Sequence, residues 1–175
     1  MLQRLFRARP ARQWGAALYE AVTRQARQPA FYRELGAPDT VEGRFELYSL
    51  HVILLLIRLR GEPGAAAEVS QALFDAYLRA LDDALREMGV GDLSVGKKMR
   101  KLVEAIYGRV KSYEQALGAP DADLDALLAR TVFAQAPEGQ VVLLSDYVRR
   151  SHAALAAQRT DQLLAGTPDW AEIAA

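Results

Sequence analysis

No cysteine occurs anywhere in the 175 residues. That absence excludes disulfides, thiolate catalysis, zinc–cysteine sites and cysteine-ligated iron–sulfur clusters. Histidine is nearly absent too: His51 and His152 are the only imidazoles, about a hundred residues apart, so a metal site would have to be built from carboxylates. No apolar run approaches the ~20 residues needed to span a bilayer as a helix. The longest, Leu47 to Ile57, has eleven residues and ends at Arg58, which reads as a fully buried core helix. No G-x-S-x-G elbow offers a serine nucleophile. No secretory signal is expected, because Glu20 interrupts the apolar stretch Ala16 to Val22 behind the arginine-rich start. Strand signals are scarce: Val52–Ile57 and Val141–Leu144 favour strand locally, but both lie inside longer helical patterns.

What remains reads as helix almost throughout. Trp14, Leu18 and Val22, four apart, mark a first helix from about Ala11 to Arg27. Ahead of it, residues 1–12 form a basic, flexible segment in which Leu2, Leu5 and Phe6 alternate with arginines and Pro10 interrupts the pattern. Its composition also suits an interfacial membrane segment or an organellar targeting sequence. Asp39 or Thr40 caps a second helix running to Arg60, where Gly61-Glu62-Pro63-Gly64 ends it. A third runs from about Ala65 to Met88, with Gly89 as a C-cap residue. A fourth starts near Asp92 or Ser94, and Val95, Met99, Leu102, Ile106, Val110, Tyr113 and Leu117 give it one apolar stripe. A fifth is expected from Asp121 or Asp123 to about Ala134, and a last long one from Val141 toward Gly166. The expectation is one all-α domain over residues 13–175, a single compact bundle of about six helices.

Formal net charge is zero, yet charge is unevenly spread. Residues 1–33 net +6, residues 34–96 net −6, residues 97–111 net +5 and residues 112–175 net −5. Local electrostatic contacts are therefore expected in place of a whole-molecule field. Lys97, Lys98, Arg100, Lys101, Arg109 and Lys111 face a single acid, Glu104, within fifteen residues. Two readings stand open: a solvated face paired with the acidic third helix, or a contact with an anionic partner.

Several motifs resolve into ordinary structure. Gly91 to Lys98 fits the phosphate-loop pattern G-x-x-x-x-G-K-[ST] except at its last position, where Lys98 replaces the hydroxyl. A phosphate loop also needs a preceding strand, and here an amphipathic helix precedes. Asp121-x-Asp123-x-Asp125 begins like a calcium loop but lacks the following glycine and distal glutamate, so helix capping is expected. Asp83 and Glu87 sit one turn apart among Arg79 and Arg86, as on a solvated helix face. His51, within the most apolar helix, reads as a core histidine, with a haem or metal ligand as the alternative.

The order of pieces along the chain carries a resemblance. They are the helix around Leu50-His51-Val52, the run Arg86 to Lys98, and Ala105 to Arg109 followed by Tyr113. Asp146 to Arg149 and the ending Leu163 to Gly166 with Trp170 complete the series. From about residue 44 to 173 the chain resembles the ubiquinol–cytochrome c chaperones, assembly factors for the respiratory cytochrome bc1 complex. The resemblance implies a helical protein, not an enzyme, without cofactor or metal, that acts on newly made cytochrome b or an early bc1 assembly intermediate. It further implies, as candidate partners, the ribosome and a small helical partner protein, with peripheral contact at the inner membrane. The composition and short N-terminus suggest a bacterial member, placed in the cytoplasm at that membrane face; a eukaryotic one would sit in the mitochondrial matrix. Gly89, Gly91, Asp92, Lys97, Lys98, Arg100, Lys101, Tyr107 and Arg109 are the candidate partner-binding residues. A ribosome- or RNA-binding helical module with a secondary client role is the alternative.

Overall fold

An eleven-residue stretch without a polar face has to be enclosed on every side, and the fold is arranged around that requirement. The structure, a computed structural model, describes residues 2–118, 121–134 and 140–173, with side chains from residue 10 onward except those of 121 and 122. Among the described residues the elements are α1 (Leu2–Ala26), α2 (Pro29–Arg33), α3 (Val41–Leu59), α4 (Ala66–Glu87), α5 (Asp92–Leu117), α6 (Asp121–Arg130), α7 (Val141–Ala157) and α8 (Thr160–Leu164). Six of these have ten residues or more and no strand accompanies them, as the periodicities require.

Helix α3 carries the long apolar run. Thr40 caps it, its hydroxyl accepting from the Gly43 amide at 3.1 Å. Leu47, Leu50, Val52, Ile53, Leu54 and Leu55 are fully buried. Helices α1, α4, α5 and α7 all pack against α3. Helices α1 and α4 also lie on each other, and Gly15 is where they cross. A Cβ at Gly15 would come within 2.6 Å of the Ala72 Cβ, so the approach has no room for a side chain. Leu18 and Val22 are buried as expected, whereas Trp14 is 36% exposed, because Gly15 takes the contact position beside it.

Three helix boundaries differ from expectation, one of them at α6, which ends at Arg130 in a turn through Ala134. Helix α1 starts at Leu2 and runs through Pro10, where a break was expected. Proline removes one backbone donor and crowds the preceding turn, which ordinarily bends or weakens a helix without always ending it. The last helix divides instead of continuing to Gly166. Arg58 is responsible: its guanidinium donates to the carbonyls of Leu155 (2.6 Å) and Gln158 (2.8 Å) and to the Thr160 hydroxyl (3.1 Å). It satisfies carbonyls that a continuing helix would have used, and its charge suits a helix C-terminus. Glu62 holds the same guanidinium at 2.5 Å.

The interior of this cover contains one histidine. Nδ1 of His51 lies 2.7 Å from the Leu47 carbonyl, which only accepts, so Nδ1 carries the proton. Nε2 then accepts from the Tyr147 hydroxyl at 2.8 Å, and that oxygen accepts from the Gln25 amide at 3.0 Å. The Trp170 ring meets the imidazole edge to face at 5.0 Å. Residues around Trp170 lie along α7: Gln158 takes both the Thr167 carbonyl (2.7 Å) and the Asp169 amide (3.1 Å), and the Ala171 amide donates to Ser151 (3.2 Å). His51 is thus a fully satisfied core histidine, and burial pushes its pKa down to about 4.

Because unfolded His51 titrates near its ordinary value of 6.5 and folded His51 resists protonation until about 4, acid favours the unfolded chain between those values. Stability should fall by up to about 3 kcal/mol from this group as pH drops from 6.5 to 4, and level off below that. Urea midpoints of the native chain and a His51→Gln variant, compared across that range, isolate the contribution. A pH-independent difference between them refutes it.

Candidate functional site

The turn from α4 to α5 is built by backbone hydrogen bonds. Gly89 takes φ +80°, its amide bonds the Arg86 carbonyl at 2.9 Å, and the Val90 amide reaches back to Leu85 at 3.0 Å. This is the paired Schellman arrangement that glycine permits after a helix end. Gly91 is the N-cap of α5 with extended backbone, and Asp92 opens the helix in an ion pair with Arg86, which also holds Asp82 at 2.7 Å. Asp92 therefore fastens the turn. Gly96 lies inside α5, one turn in, so Gly91–Lys98 forms no phosphate cradle.

The cations that follow are a different matter. Lys97, Lys98, Arg100 and Lys101 are all exposed, and none joins an ion pair among the described residues. The acids of α4 do not take them: Asp82 goes to Arg86, and Asp75 accepts from Gln71. The cations form a solvated face, and among the described residues it is not paired with α4. At the same end, Leu93 is fully exposed and Met88 is 56% exposed.

Tyr107 and Arg109 lie two to three turns farther along α5 and serve separate ends. Tyr107 is 62% exposed, its ring 5.6 Å from that of Phe74, at the edge of a small cleft of about 290 Å³. Arg109 turns inward, pairing with Glu46 of α3 and standing 5.4 Å over the Phe45 ring. Burial pushes the Glu46 carboxyl up, and Arg109 beside it draws it back part of the way. Arg109 ties α5 to α3.

A groove that the sequence did not foretell lies beside this turn. It opens between the C-terminal half of α1, the first turns of α3 and the second half of α4, and has a volume of about 460 Å³. Phe45, Tyr77, Leu81, Leu85, Met88 and Leu102 supply its apolar lining, and Arg27 and Arg44 stand at its mouth. Each of these arginines lies against a tyrosine: Arg27 is 5.9 Å from the Tyr48 ring centre, and Arg44 is 5.8 Å from that of Tyr32. Arg27 donates to the Tyr48 hydroxyl, and Arg44 to Asp39 at 2.6 Å. At the floor, Tyr77 shares a 2.6 Å hydrogen bond with Ser49. Periodicity identifies the apolar residues of α1, α3 and α4 one helix at a time. The divergence of these helices, which leaves their apolar sides partly uncovered, is a property of the assembly.

No three histidine, aspartate or glutamate side chains gather as a metal site among the described residues. The model of the ubiquinol-cytochrome C chaperone family matches residues 33–170. The chain belongs to that family. The expected span, about 44 to 173, lies close to the matched one. A solved structure, "Crystal structure of the Cbp3 homolog from Brucella abortus", is 33% identical, with a TM-score of 0.87, and the alignment covers 99% of this chain and 98% of that one. "Ubiquinol-cytochrome c reductase complex assembly factor 1" from Mus musculus is 28% identical over 143 residues, 80% of this chain and 48% of the mouse protein. The Homo sapiens protein of the same name is 27% identical over the same shares. The chain spans about half the length of these two mammalian relatives.

These placements separate under mutation. Arg109→Ala leaves Glu46 half-buried without its cation and should cost about 1–3 kcal/mol. Reversing Lys97, Lys98 and Lys101 to glutamate should leave the melting temperature within about 2 °C of the parent. Thermal melts followed by circular dichroism decide both, and an equal loss in the two variants refutes the distinction.

Proposed function

We propose that this chain is a non-catalytic assembly chaperone for the cytochrome bc1 complex, holding newly made cytochrome b or an early intermediate. The observation that carries the reading is the open apolar groove in a chain of the ubiquinol-cytochrome C chaperone family. The mammalian relatives, named as assembly factors of ubiquinol-cytochrome c reductase, support the same complex. A chaperone needs a surface that shields apolar segments until handover, and a groove between helices offers one. The mechanism is binding and timing, with no bond made or broken.

In this reading the protein works in the cytoplasm at the inner face of the membrane, where its client is inserted. The exposed cations Lys97, Lys98, Arg100 and Lys101, with Gly89 and Gly91 before them and Tyr107 farther along α5, form the side that meets an anionic surface. Acidic headgroups attract such clusters over roughly a Debye length. A small helical partner protein is a further candidate for the groove or its rim. The same cations favour a second reading, a ribosome-binding module, because phosphate contacts depend on just such exposed lysines.

The test is a mild-detergent pull-down of the tagged chain from its own cells, with mass spectrometry of what co-purifies. Cytochrome b without the finished bc1 complex is the expected result, retained at moderate salt. Ribosomal proteins alone, lost steeply as salt rises, would replace the client reading with the ribosome-binding one. The charge-reversal variant at Lys97, Lys98 and Lys101 should weaken recovery of partners without altering its melting. Unchanged recovery of every partner removes those lysines from the site.

A further inference from the structure

We infer that the occupant of the groove is an amphipathic helix with an acidic polar face. The inference rests on the reading of the groove as a seat for a client or partner, and it names the class of segment that fits. The groove's walls are helices, whose backbone donors and acceptors are spent on their own hydrogen bonds. An extended peptide would bring its amides into this apolar lining without finding partners, whereas a helix satisfies them internally. Along α4, two rows one turn apart face the groove: Tyr77, Leu81 and Leu85 in one, Ala80, Ala84 and Met88 in the other. From Tyr77 to Met88 that wall extends about 16 Å, three turns of a guest helix laid along it. Ala80 and Ala84 keep its middle low enough for close helix approach, and the flexible thioether of Met88 adapts at the end.

Charge at the rim selects the guest's polar face. Arg27 and Arg44 stand at one side, held by stacking on Tyr48 and Tyr32. On the other side the lining ends at Leu102 of α5, and Lys98 lies one turn before it on the same face of that helix. Arg27, Lys98 and Lys101 form no ion pair among the described residues. The Asp39 partner of Arg44 is more than half exposed, so that pair is readily exchanged for another carboxylate. Glu42 is the one acid along the lining, at the Val41 end. A wholly apolar segment would cover these cations and return nothing for their lost hydration. Carboxylates flanking the guest's apolar stripe would answer both rims at once.

Two synthetic 18-residue helical peptides provide the test, both with leucine at i, i+3, i+4 and i+7 spacing. One carries glutamate on its polar face and the other lysine. Binding to the full chain is read by fluorescence anisotropy at two salt concentrations. The glutamate peptide should bind at least about tenfold more tightly than the lysine peptide, and lose affinity as salt rises. Ala84→Trp, which fills the groove from an exposed position, should weaken it about tenfold, and Arg27→Glu should weaken the glutamate peptide while narrowing the difference between the two. Circular dichroism and melting confirm that each variant keeps its fold. Equal binding of both peptides overturns the inference, as does binding of neither. Undiminished binding to Ala84→Trp overturns it as well, since the guest then lies elsewhere, on the basic face of α5. Co-purification of bc1 components with a chain that shows no peptide preference leaves the assembly function standing and removes only the groove's occupant. Peptide preference without any bc1 component does the reverse.

Discussion

The structure depends on the enclosure of α3. A helix whose middle is apolar on all sides has no stable place at a surface, and α1, α4, α5 and α7 are arranged to cover it. Cover is complete from Leu50 to Leu55, where the side chains have no exposed surface. It thins toward the helix start, where Val41 is 62% exposed and Phe45 and Tyr48 are only half-buried. The groove is that thinning. A candidate binding surface and the core are thus two ends of one helix, distinguished by how many neighbours reach it.

Polar groups inside this cover give the packing its register. Leucine and valine accept many arrangements of similar volume, but His51 accepts few. Its Nδ1 is used by Leu47 within α3, so Nε2 must find a donor outside, and Tyr147 is positioned by supplying it. Arg58 acts similarly at the far end, where its hydrogen bonds to Leu155 and Gln158 locate the end of α7. Arg109 and Glu46 do the same between α5 and α3. Each is a directional contact set among non-directional ones.

The helices were legible because their signals are local. Thr40 before Val41, Gly89 after Glu87 and the apolar stripe from Val95 to Leu117 each state a boundary or a face within a few residues. The divided last helix was not legible, since its cause is an arginine about a hundred residues earlier that takes α7's terminal carbonyls. The helical course through Pro10 was missed by treating a proline as an end. For the candidate site, helical position puts Lys97 and Lys101 opposite Met99 and Ile106, and only the structure shows that no acid among the described residues pairs with them. Asp92 and Arg109, both among the candidate partner-binding residues, are each engaged with a charge from another helix. Helical angle alone does not say which neighbour brings the opposite charge.

The environment of His51 joins the two halves of the chain: Tyr147 lies 96 residues beyond His51, and Gln25, which completes the network, lies 122 residues before Tyr147. Trp170 closes it from the last described segment. Contacts of such long sequence separation are reached late and slowly in folding. A nascent chain that has released α1 through α6 still lacks the tyrosine and tryptophan that finish this enclosure. Such a chain leaves the α7-facing side of α3, its most apolar element, uncovered until synthesis reaches α7 and beyond. A protein proposed to shield another chain during synthesis is itself, for that interval, a chain in need of shielding.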